Sequence, residues 1–184
     1  MSPAAFSHLE CFASGFPPIA SPDATVLILG SLPSQLSLQK QEYYGNPQNA
    51  FWRVMGDLFD AGPTLPYAER ADRLTRNGIA VWDVLRSSFR PGSMDADIDE
   101  ATAIPNDFQA FFLHHPQLRM LCFNGKKAAR LYERLVAAEG FGSIDKLDCK
   151  TMPSTSPAYA AMRYTDKVRQ WSVIREIAGE NRRP

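Results

Sequence analysis

Two stretches of this sequence carry residue types that binding chemistry needs. The first is Tyr43-Tyr44-Gly45-Asn46-Pro47-Gln48-Asn49, and the second is Met152-Pro153-Ser154-Thr155-Ser156-Pro157-Ala158-Tyr159. A tyrosine pair beside a glycine puts flat π-faces on a loop, which is what stacking on a nucleobase requires. Between the two stretches, Asn124-Gly125-Lys126 supplies a side-chain amide, a donor and an acceptor together, able to read the Watson–Crick edge of an extruded base. Ser154, Thr155 and Ser156, set at the start of a helix, would offer free amides and small hydroxyls to a backbone phosphate. Each feature also has a structural explanation. Asn-Gly is a common turn, Ser and Thr cap helices, and loop tyrosines are often simply buried.

Strand ends are what must hold these groups. Val26-Leu27-Ile28-Leu29 is a continuous apolar run, as a strand covered on both faces needs, and it stops at Gly30-Ser31-Leu32-Pro33-Ser34. The polar loop from Gly30 to Asn46 is longer than an ordinary βα turn. Helical period then appears at Phe51, Trp52, Met55, Leu58 and Phe59, so helices are expected over Asn49–Phe59 and Tyr67–Arg76. Gly78–Trp82 reads as a second buried strand, and Asp83–Asp95 as a polar loop in which Asp83 caps a turn. A third helix is expected from Ile104-Pro105 through Phe112, and a third strand over Leu118–Phe123, followed by a helical stripe at Ala129, Leu131, Tyr132 and Leu135. Ser143–Lys150, mixed in polarity, reads as a fourth strand at the sheet edge, and Ala161–Ile177 as the last helix. Residues 1–23, with Phe16-Pro17-Pro18, read as an irregular arm. Strands alternating with helices predict an α/β fold, a three-layer α/β/α sandwich with a four-stranded parallel central sheet and a site at the carboxyl ends of its strands.

Composition narrows the partners. The 184 residues with 45% hydrophobic content suit one domain with a full core. Twenty Lys and Arg balance twenty Asp and Glu, so contact with a polyanion must rest on a local face rather than on net charge. Cys11, Cys122 and Cys149 have no metal-ligand spacing, and His114-His115 cannot both face one metal from a regular helix. No metal or cofactor is expected. With no bilayer-spanning run and no signal peptide, the cysteines read as reduced thiols in a cytoplasmic protein, expected to be a monomer.

Gly30-Ser31-Leu32-Pro33-Ser34 followed by Tyr43-Tyr44-Gly45-Asn46-Pro47-Gln48-Asn49-Ala50-Phe51-Trp52 resembles the first motif of the uracil-DNA glycosylase superfamily, most of all its hypoxanthine (deoxyinosine) branch. Met152 to Tyr159 is similar to the second signature motif. Trp82-Asp83-Val84, with Arg90-Pro91-Gly92-Ser93 and Asp95, resembles the segment lining the base pocket. The resemblance covers nearly the whole chain and implies a monofunctional glycosylase acting on DNA that contains a deaminated base, most of all hypoxanthine. It implies Tyr44, Asn124, Ser31 and Leu32 around the base, and Asn49, Asn46 and Ser154 in catalysis. Toward the DNA it implies Ser156, Thr155, Tyr159, Ala158 and Lys126.

Two departures matter. Leu32 stands where mismatch-specific relatives carry the catalytic Asn, a loss shared by the hypoxanthine branch, which relies on an Asn further along the motif. Ser154 replaces the His that helps carry the charge of the departing base in the uracil enzymes. Asn46 precedes Pro47 and suits a helix N-cap. Asn49, one turn further on where helix propensity disfavours Asn, is therefore the favoured catalytic residue. A uracil or mismatch-specific glycosylase, a DNA-binding relative without catalysis, and an enzyme of free nucleosides stand as alternatives.

Overall fold

The computed structural model describes residues 12–139 and 147–180. Along the chain run β1 (Phe12–Ser14), β2 (Val26–Gly30), α1 (Gln35–Lys40), α2 (Phe51–Phe59), α3 (Tyr67–Arg76), β3 (Ile79–Asp83) and β4 (Leu85–Phe89). They are followed by β5 (Ile104–Pro105), α4 (Phe108–His114), β6 (Met120–Asn124), α5 (Lys126–Leu135), β7 (Asp148–Met152), α6 (Tyr164–Trp171) and α7 (Val173–Glu180). The central sheet has the order β3-β2-β6-β7, all parallel.

In β2, β3 and β6 every residue is buried. Side chains alternate between faces, so burial of both parities means that helices cover both sides of the sheet, which is why these strands read as unbroken apolar runs. α7 packs on β2, α3 on β3, and α5 on β6 and β7, giving the three-layer α/β/α arrangement. β7 is exposed over its first four residues, as its mixed polarity at the edge implied. Val26, Leu27, Ile28 and Leu29 are fully buried, each worth about 1.5–3 kcal/mol of transfer free energy. α2 brings Phe51, Trp52 and Met55 to the same core.

The strand order locates the site. From β2 the chain moves to one side to make β3 and then crosses to the other to make β6, so the direction of winding reverses between β2 and β6. In open parallel sheets that reversal leaves a crevice beyond the carboxyl ends of the strands. Pairing sets Gly30 against Asp83 and Asn124 against Met152, so all four residues stand at that rim.

The structure differs from the sequence expectations in several places. Part of the N-terminal arm is ordered into β1, which pairs antiparallel with β4, while Ile19 bridges to Val81. The expected loop after Asp83 contains β4, and Ile104-Pro105 is β5 rather than a helix start. These three form a small antiparallel sheet in the order β1-β4-β5. A short strand with both neighbours remote in sequence leaves little local pattern. The helix after Pro105 begins at Phe108, capped by Asp107, whose carboxylate accepts from the Ala110 amide at 2.9 Å. The long first loop contains α1, capped by Ser34, whose hydroxyl accepts from the Ser37 amide. The fourth strand covers Asp148–Met152, and residues 143–146 of the expected strand lie outside the described residues. The last helical region begins at Tyr164 and divides at Ser172 into α6 and α7.

Candidate active site

At the rim between β2 and β6 lies a cavity of about 460 Å³. Its floor is Gly30, Asp83 and Asn124. Its walls are the segment after β2 with Tyr44, the loop from Arg90 to Ala96, and the loop from Ser154 to Tyr159.

Tyr44 is held by its neighbours' backbone. Its φ of 53° is left-handed, a conformation that costs a non-glycine residue roughly 1–2 kcal/mol. The peptide groups on both sides are tied. The Tyr43 amide donates to Tyr67 Oη at 2.9 Å, and Trp52 Nε1 donates to the Tyr43 carbonyl at 2.8 Å. The Gly45 amide donates to Ser37 Oγ at 3.0 Å, and Lys40 Nζ donates to the Gly45 carbonyl at 2.9 Å. With the chain so clamped, the Tyr44 ring stacks on Phe51 at 3.9 Å between centroids and 20° between planes. The tyrosine pair thus divides its roles. Tyr43 is buried and its hydroxyl donates to the carbonyls of the Phe16–Pro17 segment, whereas Tyr44 lines the cavity. The Tyr44 hydroxyl is sealed from solvent without a regular hydrogen bond. Burial, then the charge of Asp83, holds this phenol far above its ordinary ionisation, with the Asn124 amide acting weakly the other way.

Gly30 is required for close approach. A Cβ there would collide with Asp83 Oδ1 and come within 3.1 Å of Tyr44 Oη. The segment it opens is pinned by Arg90, which is buried and donates through Nη1 to the carbonyls of Leu32 and Pro33 at 2.9 and 3.1 Å, and through Nη2 to the Ser93 carbonyl. Ser31 Oγ donates to Asp95 Oδ1. Leu32 is buried in the cavity wall, and its side chain has no polar atom with which to hold a water.

The second signature loop is fastened from three sides. Asn124 Nδ2 donates to Thr155 Oγ1, and its Oδ1 accepts from the Thr155 amide, both at 2.8 Å. The Ala50 amide donates to the Thr155 carbonyl, and Trp171 Nε1 to the Pro153 carbonyl. Asn124 is therefore first a clamp between β6 and this loop. One N–H and part of its carbonyl remain for a base, fewer groups than a free amide would offer. Gly125, at φ 97°, lets Ser154 pass, since a Cβ would stand 3.0 Å from the Ser154 Cβ.

Two expectations are corrected here. Ser154, Thr155 and Ser156 do not begin a helix, because α6 starts at Tyr164 with Arg163 before it. The two serine hydroxyls serve local turns instead, Ser154 Oγ accepting from the Ser156 amide and Ser156 Oγ from the Ala158 amide, while the Thr155 hydroxyl is taken by Asn124. Any phosphate held there relies on these turns rather than on helix amides and dipole. Likewise Asn46 is not the N-cap of α2, a place held by Ala50. Asn46 Oδ1 accepts from the Gln48 amide at 2.9 Å and Asn49 Oδ1 from the Phe51 amide at 3.0 Å. Both asparagines have a local structural reason, and both line the cavity, so geometry does not separate them.

Of the other expected residues, Ser31, Leu32, Ala158 and Tyr159 line the cavity, and Lys126 does not; it opens α5 at the surface. Tyr159 lies under Lys167 Nζ, 5.5 Å from the ring centroid. Among the described residues no cluster of His, Cys, Asp and Glu could hold a metal, and no helix is long and apolar enough to cross a membrane. Cys122 is buried, its thiol pushed up to about 12 by that burial.

Asp83 and Arg90, which the sequence placed only within a segment resembling a base-pocket lining, both line the cavity. The alternative reading of Asp83 as a turn cap in a surface loop is corrected: it is the last residue of a buried strand. Its carboxyl lines the cavity with Oδ2 sealed and unpartnered. Burial and then the charge of Asp95 raise it to about 7, while Arg90 opposes them.

The fold and the rim site define an α/β protein with a ligand pocket at the topological switch of a parallel sheet. A family model described as the uracil DNA glycosylase superfamily matches residues 17–176. The chain is 39% identical over 145 residues to the hypoxanthine DNA glycosylase of Methanosarcina acetivorans, covering 78% of this chain and 86% of that protein. It is 38% identical over 128 residues to the hypoxanthine DNA glycosylase of Methanosarcina barkeri, covering 69% and 79%. Its fold is similar to a solution NMR structure from Methanosarcina acetivorans described as a candidate uracil DNA glycosylase. That similarity has a TM-score of 0.73 at 35% identity and covers 90% of this chain and 98% of the other. The chain belongs to the uracil DNA glycosylase superfamily.

Proposed function

We propose that this protein is a monofunctional DNA glycosylase that takes hypoxanthine out of the duplex and hydrolyses its N-glycosidic bond. The observation that carries the reading is the Tyr44–Phe51 stack, fixed in a rim cavity of about 460 Å³ beside Asn124. A ring already backed by a second ring makes a rigid platform for a flat base, and such stacking is worth about 1–3 kcal/mol. The names of the two Methanosarcina relatives support hypoxanthine as the base. Flipping costs a few kcal/mol, least for a poorly paired base, which favours a deaminated purine over its neighbours.

As the bond breaks, the sugar gains oxocarbenium character and the base leaves with negative charge, so the site must position water and stabilise both. Asn49 or Asn46 would orient the water or sugar, since both line the cavity. Ser154 would sit near the departing base. No lysine is among the residues described around the cavity, which supports hydrolysis without a Schiff base. Ser156 and the turns around it would hold a backbone phosphate, and the exposed Ala158 and Tyr159 would enter the gap left in the duplex. We read the protein as a monomer acting in the cytoplasm.

The test is excision from labelled duplexes containing hypoxanthine, uracil, xanthine or thymine. Alkali-labile sites from hypoxanthine at the fastest rate support the reading. Fastest release of uracil would make this a uracil enzyme, as the description of the solved neighbour suggests for that protein, and no abasic product from any duplex would make it a binding protein.

A further inference from the structure

We propose that Asp83, as a carboxylic acid, donates a hydrogen bond to the acceptor edge of the flipped purine and keeps it as the base departs. The inference rests on the hypoxanthine reading above. Asp83 ends β3 in register with Gly30, and the missing side chain of Gly30 is what lets its carboxyl reach the cavity. It is nine-tenths buried or more, lines the cavity with Tyr44 and Asn124, and Oδ2 has no partner. A buried carboxylate is normally held by donors, and here Oδ2 has none, although Tyr44 Oη and Arg90 Nε are likewise buried and unpartnered. Arg90 gives its Nη hydrogens to the carbonyls of Leu32, Pro33 and Ser93. Ser31 gives its hydroxyl to Asp95.

The groups facing Asp83 all bear on its proton. Burial and the neighbouring Asp95 disfavour its anion, and Arg90 alone favours it. Tyr43, Tyr44 and Tyr67, from the loop and α3, are each held neutral, first of all by burial. Burial and Asp95 together outweigh Arg90, so Asp83 keeps its proton toward neutral pH.

That proton meets a chemical need. A purine with a 6-oxo group presents O6 and N7, both acceptors, on its major-groove edge. A carboxylate would repel that edge, whereas the acid pairs with it. Negative charge grows on the same base as C1′–N9 breaks, and a donor aimed at developing charge is worth roughly 10²–10³ in rate.

Single-turnover excision of hypoxanthine should be measured from about pH 6 to pH 9 for the wild type, Asp83→Asn and Asp83→Ala, with DNA affinity and thermal stability measured separately. The wild-type rate is expected to fall as pH rises through about 7. Asp83→Asn, which keeps an N–H donor and cannot titrate, should retain activity within roughly tenfold of the wild type at pH 6 and lose the alkaline fall. Asp83→Ala should lose roughly a hundredfold or more at every pH while binding DNA normally. If Asp83→Ala does not fold, the wild-type and Asp83→Asn profiles decide. A wild-type rate that rises through pH 7, or Asp83→Asn with an unchanged alkaline fall, overturns the inference while leaving the glycosylase reading intact. A wild type that releases no hypoxanthine at any pH removes both.

Discussion

Replacing Asp83 with Asn removes a titrating group from the core while keeping its shape, and its effect on stability can be worked through. In the folded protein, burial first and Asp95 second raise the carboxyl to about 7, against an ordinary 3.8 in the unfolded chain. The gap is about 3 pH units, and at 1.36 kcal/mol each it amounts to about 4 kcal/mol. Because the folded state keeps a proton that the unfolded state gives up, the protein is most stable with respect to this group below about pH 4. That stability is lost as pH rises toward 7 and changes no further above it. The Asn variant lacks the titration. Its stability relative to the wild type should therefore increase by about 4 kcal/mol between acidic conditions and about pH 8. The amide occupies a site with no partner for Oδ2 and costs about 1–3 kcal/mol, but equally at every pH, so it moves the level and not the slope. Urea unfolding across this range reads the difference directly. Parallel stability curves for wild type and variant would refute the reasoning, because they would mean that Asp83 ionises in the fold as it does in water.

Tyr44→Phe keeps the stack on Phe51 and removes a buried hydroxyl that has no regular partner, so excision and melting temperature should hold; Tyr44→Ala should weaken base binding by about 1–3 kcal/mol, seen as weaker inhibition by free hypoxanthine. Asn49→Ala and Asn46→Ala each remove one turn contact and should each cost roughly 0.5–1.5 kcal/mol in urea unfolding; we expect single-turnover rate to collapse for Asn49→Ala and not for Asn46→Ala. Ser156→Ala should weaken DNA binding alike for every target base, read in a salt titration, since phosphate contacts carry no base information.

The parallel sheet was legible because β2, β3 and β6 are covered on both faces and so must be written as apolar runs, with boundaries that fell within two residues of those seen. The cavity residues of the first loop could be found from motif and strand end together. Other features depend on partners remote in sequence. β4 is polar at Arg86 and Ser87 and exists because β1 and β5 flank it. The Ser154–Ser156 run has the composition of a helix cap, but its serine hydroxyls close successive turns and the helix waits until Tyr164. The different fates of Tyr43 and Tyr44 follow from hydrogen bonds to residues as distant as Phe16 and Tyr67. Asp83 is a one-letter case of the same limit, since a carboxylate at a strand end is ordinary until its oxygen proves to be buried in a cavity without a partner.

The central claim is that the rim cavity releases hypoxanthine from DNA by hydrolysis. Its most direct test is a product balance on a hypoxanthine-containing duplex, measuring free base, abasic sites and strand breaks together. Free hypoxanthine and abasic sites in equal amounts, with strands broken only after alkali, is the expected result. Binding without release of base, or strand breaks that accompany release without alkali, would contradict it.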